Sequence, residues 1–230
     1  MIALYYADFS GRNAEELIER YRDRIDSQRY EKIMRIQAPE ARVRSLLGGF
    51  LLQTAVKEAL QSEKEAISLP LTYGPQGKPY LAEHPNLYFN LSHSGTVAVC
   101  ALCDEEVGAD VQEYRKMKAG VAERFFTAQE KAQLKALEHH GEEYERLFFR
   151  MWSVKESYIK FTGLGMKQGL DTFITDWENQ QIRDKESRKE VACFQEVSIG
   201  GMSRYAVSVC SKNWQEIILR EVPLNGSGRS

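Results

Sequence analysis

Neither sign of charge dominates this chain. Lys and Arg total 31 against 33 Asp and Glu, a formal net charge of −2. That balance leaves no broad basic field for a general nucleic-acid partner, although it leaves room for a local anion site. Long apolar runs are missing too. No segment reaches the roughly 20 residues that span a bilayer, and the first residues lack the basic start and apolar stretch of a leader. A cytoplasmic protein without a membrane partner is the expectation. Cysteine is scarce, at four residues. Cys193 and Cys210 stand alone, and only Cys100-Ala101-Leu102-Cys103 has CxxC spacing. That pair sits in an apolar, strand-like run with no second ligand pair nearby, so buried, reduced thiols are expected rather than zinc or redox chemistry. His139 and His140 likewise lack ligands at suitable spacing and read as a loop. There is no sequence-level repeat, and Ser92 lacks the GxSxG setting of one common serine nucleophile.

What is present is an alternation of short strands and amphipathic helices, long enough to bury a substantial core as one domain or two small ones. Ile2 to Ala7 reads as a strand. Asn13 caps a following helix whose first turn holds Glu15 and Glu16 and whose apolar stripe runs through Leu17, Tyr21 and Ile25. A second helix near Ser27 to Ile36 carries Arg29 and Lys32 at i and i+3, either a solvated face or a shared phosphate ligand. Pro39 opens a third helix to about Ala59, with Arg44 near its apolar side. Tyr73-Gly74-Pro75-Gln76-Gly77-Lys78-Pro79 reads as a turn-rich loop in which Lys78 is either a surface lysine or is held toward an anion. Leu87 to Leu91 is a strand delivering Asn90, Ser92 and His93 to its end, and Thr96 to Leu102 is its neighbour. On Val107 to Gln112, Asp110 and Gln112 share one face at i and i+2, with Glu113 on the other.

In the second half, Ala119 to Phe125 and Thr127 to Leu137 are expected helices, with Thr127 and Glu130 forming a capping box. A long helix from about Glu143 runs to Gly163. Strands follow around Thr172–Thr175, Val191–Val197 and Arg204–Cys210, with a polar loop at Asp184–Glu190 and an edge strand within Gln215–Val222. The small, polar residues 225–230 read as a flexible tail.

The chemistry centres on Trp152-Ser153-Val154-Lys155-Glu156-Ser157-Tyr158-Ile159-Lys160-Phe161-Thr162-Gly163. As a helix it sets Glu156 and Lys160 one turn apart, facing one cleft. Lys155, about 100° round the axis from Glu156, reaches that cleft only from its edge. Taken alone, the segment reads first as a surface Glu–Lys pair on an amphipathic helix. Asp110 and the Ser92–His93 pair change this. Two acids with nearby cations suit a metal ion and a phosphate-bearing substrate.

Four motifs in this order, Gly77-Lys78-Pro79, Phe89-Asn90-Leu91-Ser92-His93-Ser94, Gly108-Ala109-Asp110-Val111 and Trp152-Ser153-Val154-Lys155-Glu156-Ser157…Lys160, are similar to those of the phosphopantetheinyl transferase superfamily. Over roughly residues 1 to 215 the chain resembles the larger, surfactin-synthetase-activating type. That resemblance implies an α+β fold made of a pseudo-twofold pair of similar subdomains, each with a small, mainly antiparallel sheet and packed helices. Residues 1–105 and 106–222 are the expected subdomains and 223–230 the tail. It also implies magnesium-dependent transfer of the 4′-phosphopantetheine arm of coenzyme A to a serine of an apo acyl-, peptidyl- or aryl-carrier protein. Adenosine 3′,5′-bisphosphate would be released, in the service of nonribosomal peptide or polyketide biosynthesis. A monomer is expected. A noncatalytic coenzyme A or nucleotide-binding protein is the competing reading.

Carried over position by position, Asp110 and Glu156 match the metal-binding acids. Lys78, His93, Lys155 and Lys160 match positions around the coenzyme A phosphates or the reaction centre. Arg29, Lys32 and Arg44 match basic positions, and Ser92 matches a phosphate-side position. Gln112 stands where similar bacterial enzymes often have glutamate, so it brings an oxygen ligand without a full negative charge. Glu156 either deprotonates the carrier hydroxyl directly or does so through metal-bound water. The resemblance further implies acidic carriers, which would dock on Arg115-Lys116-Met117-Lys118-Ala119-Gly120-Val121-Ala122-Glu123-Arg124-Phe125-Phe126.

Overall fold

The computed structural model describes residues 1–64, 66–117, 120–137 and 140–224, omitting only the side chain of Met166 within them. Lys118 and Ala119 of the expected docking stretch, His139, and the expected flexible tail at 225–230 lie outside the described residues.

The architecture is α+β: a pseudo-twofold pair of sheet-and-helix subdomains. The first sheet has the order β11-β1-β5-β4, built from β1 (Ile2–Asp8), β4 (Tyr88–Ser94), β5 (Val97–Cys103) and β11 (Ile217–Glu221). The second has the order β6-β10-β9-β8-β7, built from β6 (Val107–Glu113), β7 (Phe173–Asp176), β8 (Gln181–Asp184), β9 (Glu190–Glu196) and β10 (Tyr205–Ser211). Every pairing is antiparallel except β1 with β11. The edge strand expected near Gln215 thus belongs to the first sheet, where Ile217 pairs with Ile2.

On the first sheet lies α3 (Pro39–Ala59), and α1 (Ala14–Tyr21) and α2 (Ser27–Met34) pack against α3. Asn13 accepts from the amides of Glu15 and Glu16 and fixes the start of α1. That helix stops at Tyr21, and Arg22–Arg24 form a tighter 3₁₀ turn before Ile25 re-enters the core. Pro39 occupies the first turn of α3, where its missing N–H costs nothing. The second subdomain adds α4 (Val121–Phe125), α5 (Ala128–Lys135) and α6 (Gly141–Thr162), and the Thr127–Glu130 capping box is present. Gly163, at φ 69°, supplies the left-handed residue that ends α6.

Between the two sheets lies an apolar layer: Ile2, Leu4, Val97 and Val99 from one, Val107, Ala109, Val111, Val207 and Val209 from the other. The odd-numbered residues of β6 fill this layer, so the even-numbered ones, Gly108, Asp110 and Gln112, turn toward α6. Gly108 is required there. Any side chain would run into the Ser157 carbonyl and the Phe161 amide of the crossing helix.

The seam between the sheets is closed by side chains. Ala109 N–H donates to Asn90 Oδ1 (3.0 Å), Val111 N–H to Ser92 Oγ (3.3 Å) and Glu113 N–H to Ser94 Oγ (3.0 Å). Polar side chains at every second residue of β4 thus satisfy an edge that has no backbone partner there.

Three local expectations change. β4 continues to Ser94, so Ser92 and His93 lie within the strand and not beyond its end. The Tyr73–Pro79 loop is the tip of a tight hairpin between β2 (Leu71–Tyr73) and β3 (Pro79–Leu81). The strand β8 was hidden by its polarity, since only Ile182 in it is buried.

Candidate active site

One cavity of about 530 Å³ opens where β4, β6, α3 and α6 meet. It is lined by Arg29, Arg44, Ser92, His93, Asp110, Gln112, Glu156 and Lys160, together with Ser45, Gly48, Leu91 and Trp152. Eight positions nominated by sequence therefore converge from both subdomains.

The centre is a buried carboxylate with three protein donors. Asp110, 2 % exposed, accepts from Ser92 Oγ (2.8 Å) and Lys160 Nζ (2.6 Å) at Oδ1 and from Gln112 Nε2 (2.9 Å) at Oδ2. Ser92 Oγ in turn accepts from Lys160 Nζ (2.8 Å) and from the Val111 amide. Its one proton is committed to Asp110, which leaves no unengaged nucleophile. Two of the three Lys160 donors are used, and the third is left for a ligand in the cavity.

Glu156, one turn before Lys160, has its carboxyl raised above the usual 4.5 by burial and by repulsion from Asp110, with Lys160 opposing. His93 is lowered from 6.5 by burial and by the charge of Arg44, so it is neutral near pH 7 until an anion arrives.

Arg29 reaches the cavity across α3. Its stem fills the space beside Gly49, where a Cβ would lie 2.7 Å from Arg29 Nε. Paired glycines inside a long helix are costly in themselves. Here they admit the arginine. Burial lowers the guanidinium's pKa, and Nε is buried without a hydrogen-bond partner. Arg29 also lines a neighbouring cavity of about 420 Å³ with Lys32, Tyr73 and Leu71. Lys32 therefore belongs to that chamber and not to the Asp110 cavity.

Two lysines do not behave as expected. Lys155 is completely buried, with its ammonium 2.9 Å from Glu130 Oε1 and donating to the carbonyls of Leu170 (2.8 Å) and Phe173 (3.2 Å). Its position on the helix carries it behind α6, away from the cavity. Lys78 is also buried, engaged by Glu106 and by the carbonyls of Val107 (3.2 Å) and Phe161 (3.0 Å). Neither presents a free ammonium to a phosphate. Their partners Glu106 and Glu130 were missed. The capping box marked Glu130, but nothing local marked its second oxygen for Lys155.

Among the described residues, no group of three His, Cys, Asp or Glu side chains is placed to hold a metal. The available oxygen set is Asp110, Glu156 and the amide oxygen of Gln112. All are hard donors of the kind magnesium takes, and the repulsion that raises Glu156 is what a divalent cation relieves. The residues present fit the ion.

Comparison with known proteins gives the family. A model of the 4′-phosphopantetheinyl transferase superfamily matches residues 106–210, and one of the 4′-phosphopantetheinyl transferase N-terminal region matches residues 14–105. The 4′-phosphopantetheinyl transferase ffp of Bacillus subtilis is 31% identical over 202 residues, covering 86% of this chain and 87% of its own. The 4′-phosphopantetheinyl transferase psf-1 of Bacillus pumilus is 34% identical, with 75% and 72% covered, and the 4′-phosphopantetheinyl transferase Sfp of Bacillus subtilis is 32% identical, with 70% of each. The chain belongs to the 4′-phosphopantetheinyl transferase superfamily.

Proposed function

We propose that this protein transfers the 4′-phosphopantetheine arm of coenzyme A to a carrier-protein serine, using the Asp110–Glu156–Lys160 cavity. The observation that carries this reading is the convergence of two acids and Lys160 with Arg29, Arg44 and His93 in one space. A noncatalytic coenzyme A binder would need the cations but would have no use for the mutually repelling acids.

In the reaction the carrier hydroxyl oxygen bonds to the β-phosphorus of coenzyme A. The bond from that phosphorus to the bridging oxygen breaks, and adenosine 3′,5′-bisphosphate leaves with the electron pair. Glu156 takes the hydroxyl proton, a role its place in the cavity one turn before Lys160 allows. Lys160 donates its third N–H to phosphate oxygens on which charge collects. Arg29, Arg44 and His93 orient the nucleotide end through hydrogen bonds to its phosphates. Asp110, Gln112 and Glu156 would hold magnesium, which when bound neutralises the pyrophosphate.

The test is direct. Purified protein, coenzyme A, magnesium and a panel of apo-carriers are incubated, and intact mass is followed. A phosphopantetheine adduct that vanishes without coenzyme A is expected. No adduct on any acyl, peptidyl or aryl carrier defeats the reading.

A further inference from the structure

We infer that Lys78 is a positioning residue for this transfer, acting through the end of α6 and not through a phosphate. The inference rests on the function proposed above.

An ammonium has three protons, and all three are placed here: one toward Glu106, one toward the Val107 carbonyl and one toward the Phe161 carbonyl. The three acceptors join separate parts of the molecule. Lys78 comes from the β2–β3 hairpin of the first half. Glu106 and Val107 lie where the chain crosses into β6, and Phe161 lies in the last turn of α6. The final carbonyls of a helix have no partner within it, and a cation there also suits the helix dipole. Lys78 therefore caps α6 from outside.

The packing says the same. Gly163 leaves the lysine stem room to lie against the helix end, since a Cβ there would be 3.0 Å from Lys78 Cδ. The same turn of α6 crosses β6 at Gly108, with no space for a side chain between them. Asp110 is two residues along the strand from that crossing. Lys160 is next to Phe161, and Glu156 is about one turn further back. Pinning Phe161 and Val107 to one ammonium thus sets the spacing between the strand bearing Asp110 and the helix bearing Lys160. A small displacement of such groups is enough to cost up to about a hundredfold in rate.

Lys78→Met and Glu106→Gln separate this role from a phosphate contact. Positioning predicts that Lys78→Met lowers kcat by about tenfold to a hundredfold, with Kd for coenzyme A within about twofold at low and moderate salt. Glu106→Gln, which keeps the shape and the hairpin, should lower kcat in the same sense but less. By hydrogen exchange, the amides of residues 159–163 should exchange faster in Lys78→Met than in the parent, while those of β10 are unchanged. A Lys78→Met protein with parental kcat but weakened, salt-sensitive coenzyme A binding overturns the inference. If Lys78→Met does not fold, parental kcat and exchange in folded Glu106→Gln overturn it as well. The exchange arm needs no turnover. Should the parent transfer nothing, the functional reading fails while the clamp is still judged by that arm.

Discussion

Lys160 Nζ lies 2.6 Å from Asp110 Oδ1, so the cavity's lysine rests on the carboxylate that a metal ion would also use. Each Asp110 oxygen already has a protein donor, from Ser92 and Lys160 on one and Gln112 on the other. An amide in its place would face donors with a donor.

Asp110→Asn and Glu156→Gln should each lower magnesium-dependent transfer by about a hundredfold or more. Their stabilities should diverge. A carboxyl whose folded pKa is raised binds its proton more tightly in the folded state. Its penalty on stability therefore grows as pH rises through the unfolded value near 4.5 toward the raised one. Glu156→Gln removes that penalty and should melt no lower than the parent at neutral pH, whereas Asp110→Asn should melt lower. Circular dichroism melts and initial rates over a magnesium series check both, and unchanged rates in folded variants would remove the two acids from the reaction.

Gln112→Glu should tighten magnesium binding without guaranteeing a faster reaction, because added charge also shifts the reacting geometry. The ion favours ionised Glu156, so magnesium affinity in the parent should weaken as pH falls through the raised pKa of the free protein. Calorimetric magnesium titrations at several pH values read both effects. Equal affinities for Gln112→Glu and parent would mean that this side chain is no ligand.

His93→Ala should weaken coenzyme A binding. If the imidazole meets the 3′-phosphate, dephospho-coenzyme A should narrow the gap to the parent. Burial and Arg44 hold free His93 below 6.5, and an anion favours its protonated form. Parental affinity for coenzyme A should therefore rise as pH falls toward that lowered value and level off below it, and His93→Ala should lose this slope. Dissociation constants for both ligands across pH decide the point, and an equal loss with either ligand places His93 away from that phosphate.

Much of this site was legible because its signals are local. Alternation put Asp110 and Gln112 on one face of β6, and helical spacing put Glu156 beside Lys160. What was hidden depends on contacts between distant residues. Lys78 and Lys155 sit within the motifs and look like phosphate ligands, yet Glu106 and Glu130 claim them through the fold. The membership of β11 in the first sheet was equally invisible, since pairing of Ile217 with Ile2 is set by the closing of the chain and not by its local pattern. Asn90, Ser92 and His93 read as a polar strand end, although Asn90 and Ser92, together with Ser94, are the seam between the sheets.

Lys155→Met tests the buried pair. Removing one member leaves Glu130 as an uncompensated buried charge, at a cost of about 3–5 kcal/mol. Burial lowers the lysine's pKa while Glu130 opposes the shift. Lys155→Met combined with Glu130→Gln should recover part of the loss, because no charge then remains at the site. Denaturant melts of the parent, Lys155→Met, Glu130→Gln and the double variant measure the coupling, and equal stability of Lys155→Met and parent would show that the pair contributes nothing. Coenzyme A affinity of any folded variant should match the parent, as expected for a lysine behind the helix.

The stretch leading into α4 bears on the carrier. Arg115 and Lys116 are exposed, whereas Met117, Val121 and Phe125 pack against the cluster of Phe126, Phe148 and Phe149. The apolar residues are therefore tied to the second subdomain's core, and Arg115 and Lys116, with Arg124 of α4, are left as its solvent-facing charge. If an acidic carrier docks here, Arg115→Glu with Lys116→Glu should raise the carrier KM more than the coenzyme A KM. The penalty should be larger at low salt, where charges about 10 Å apart are less screened than in 0.1 M salt. Met117→Ala should instead lower the melting temperature, with a smaller effect on the carrier KM, because its loss leaves space against the aromatic cluster. Steady-state kinetics against an apo-carrier at two salt concentrations, alongside thermal melts, separate the two kinds of variant. A folded double charge reversal with parental carrier kinetics at both salts would place the docking surface elsewhere on the molecule.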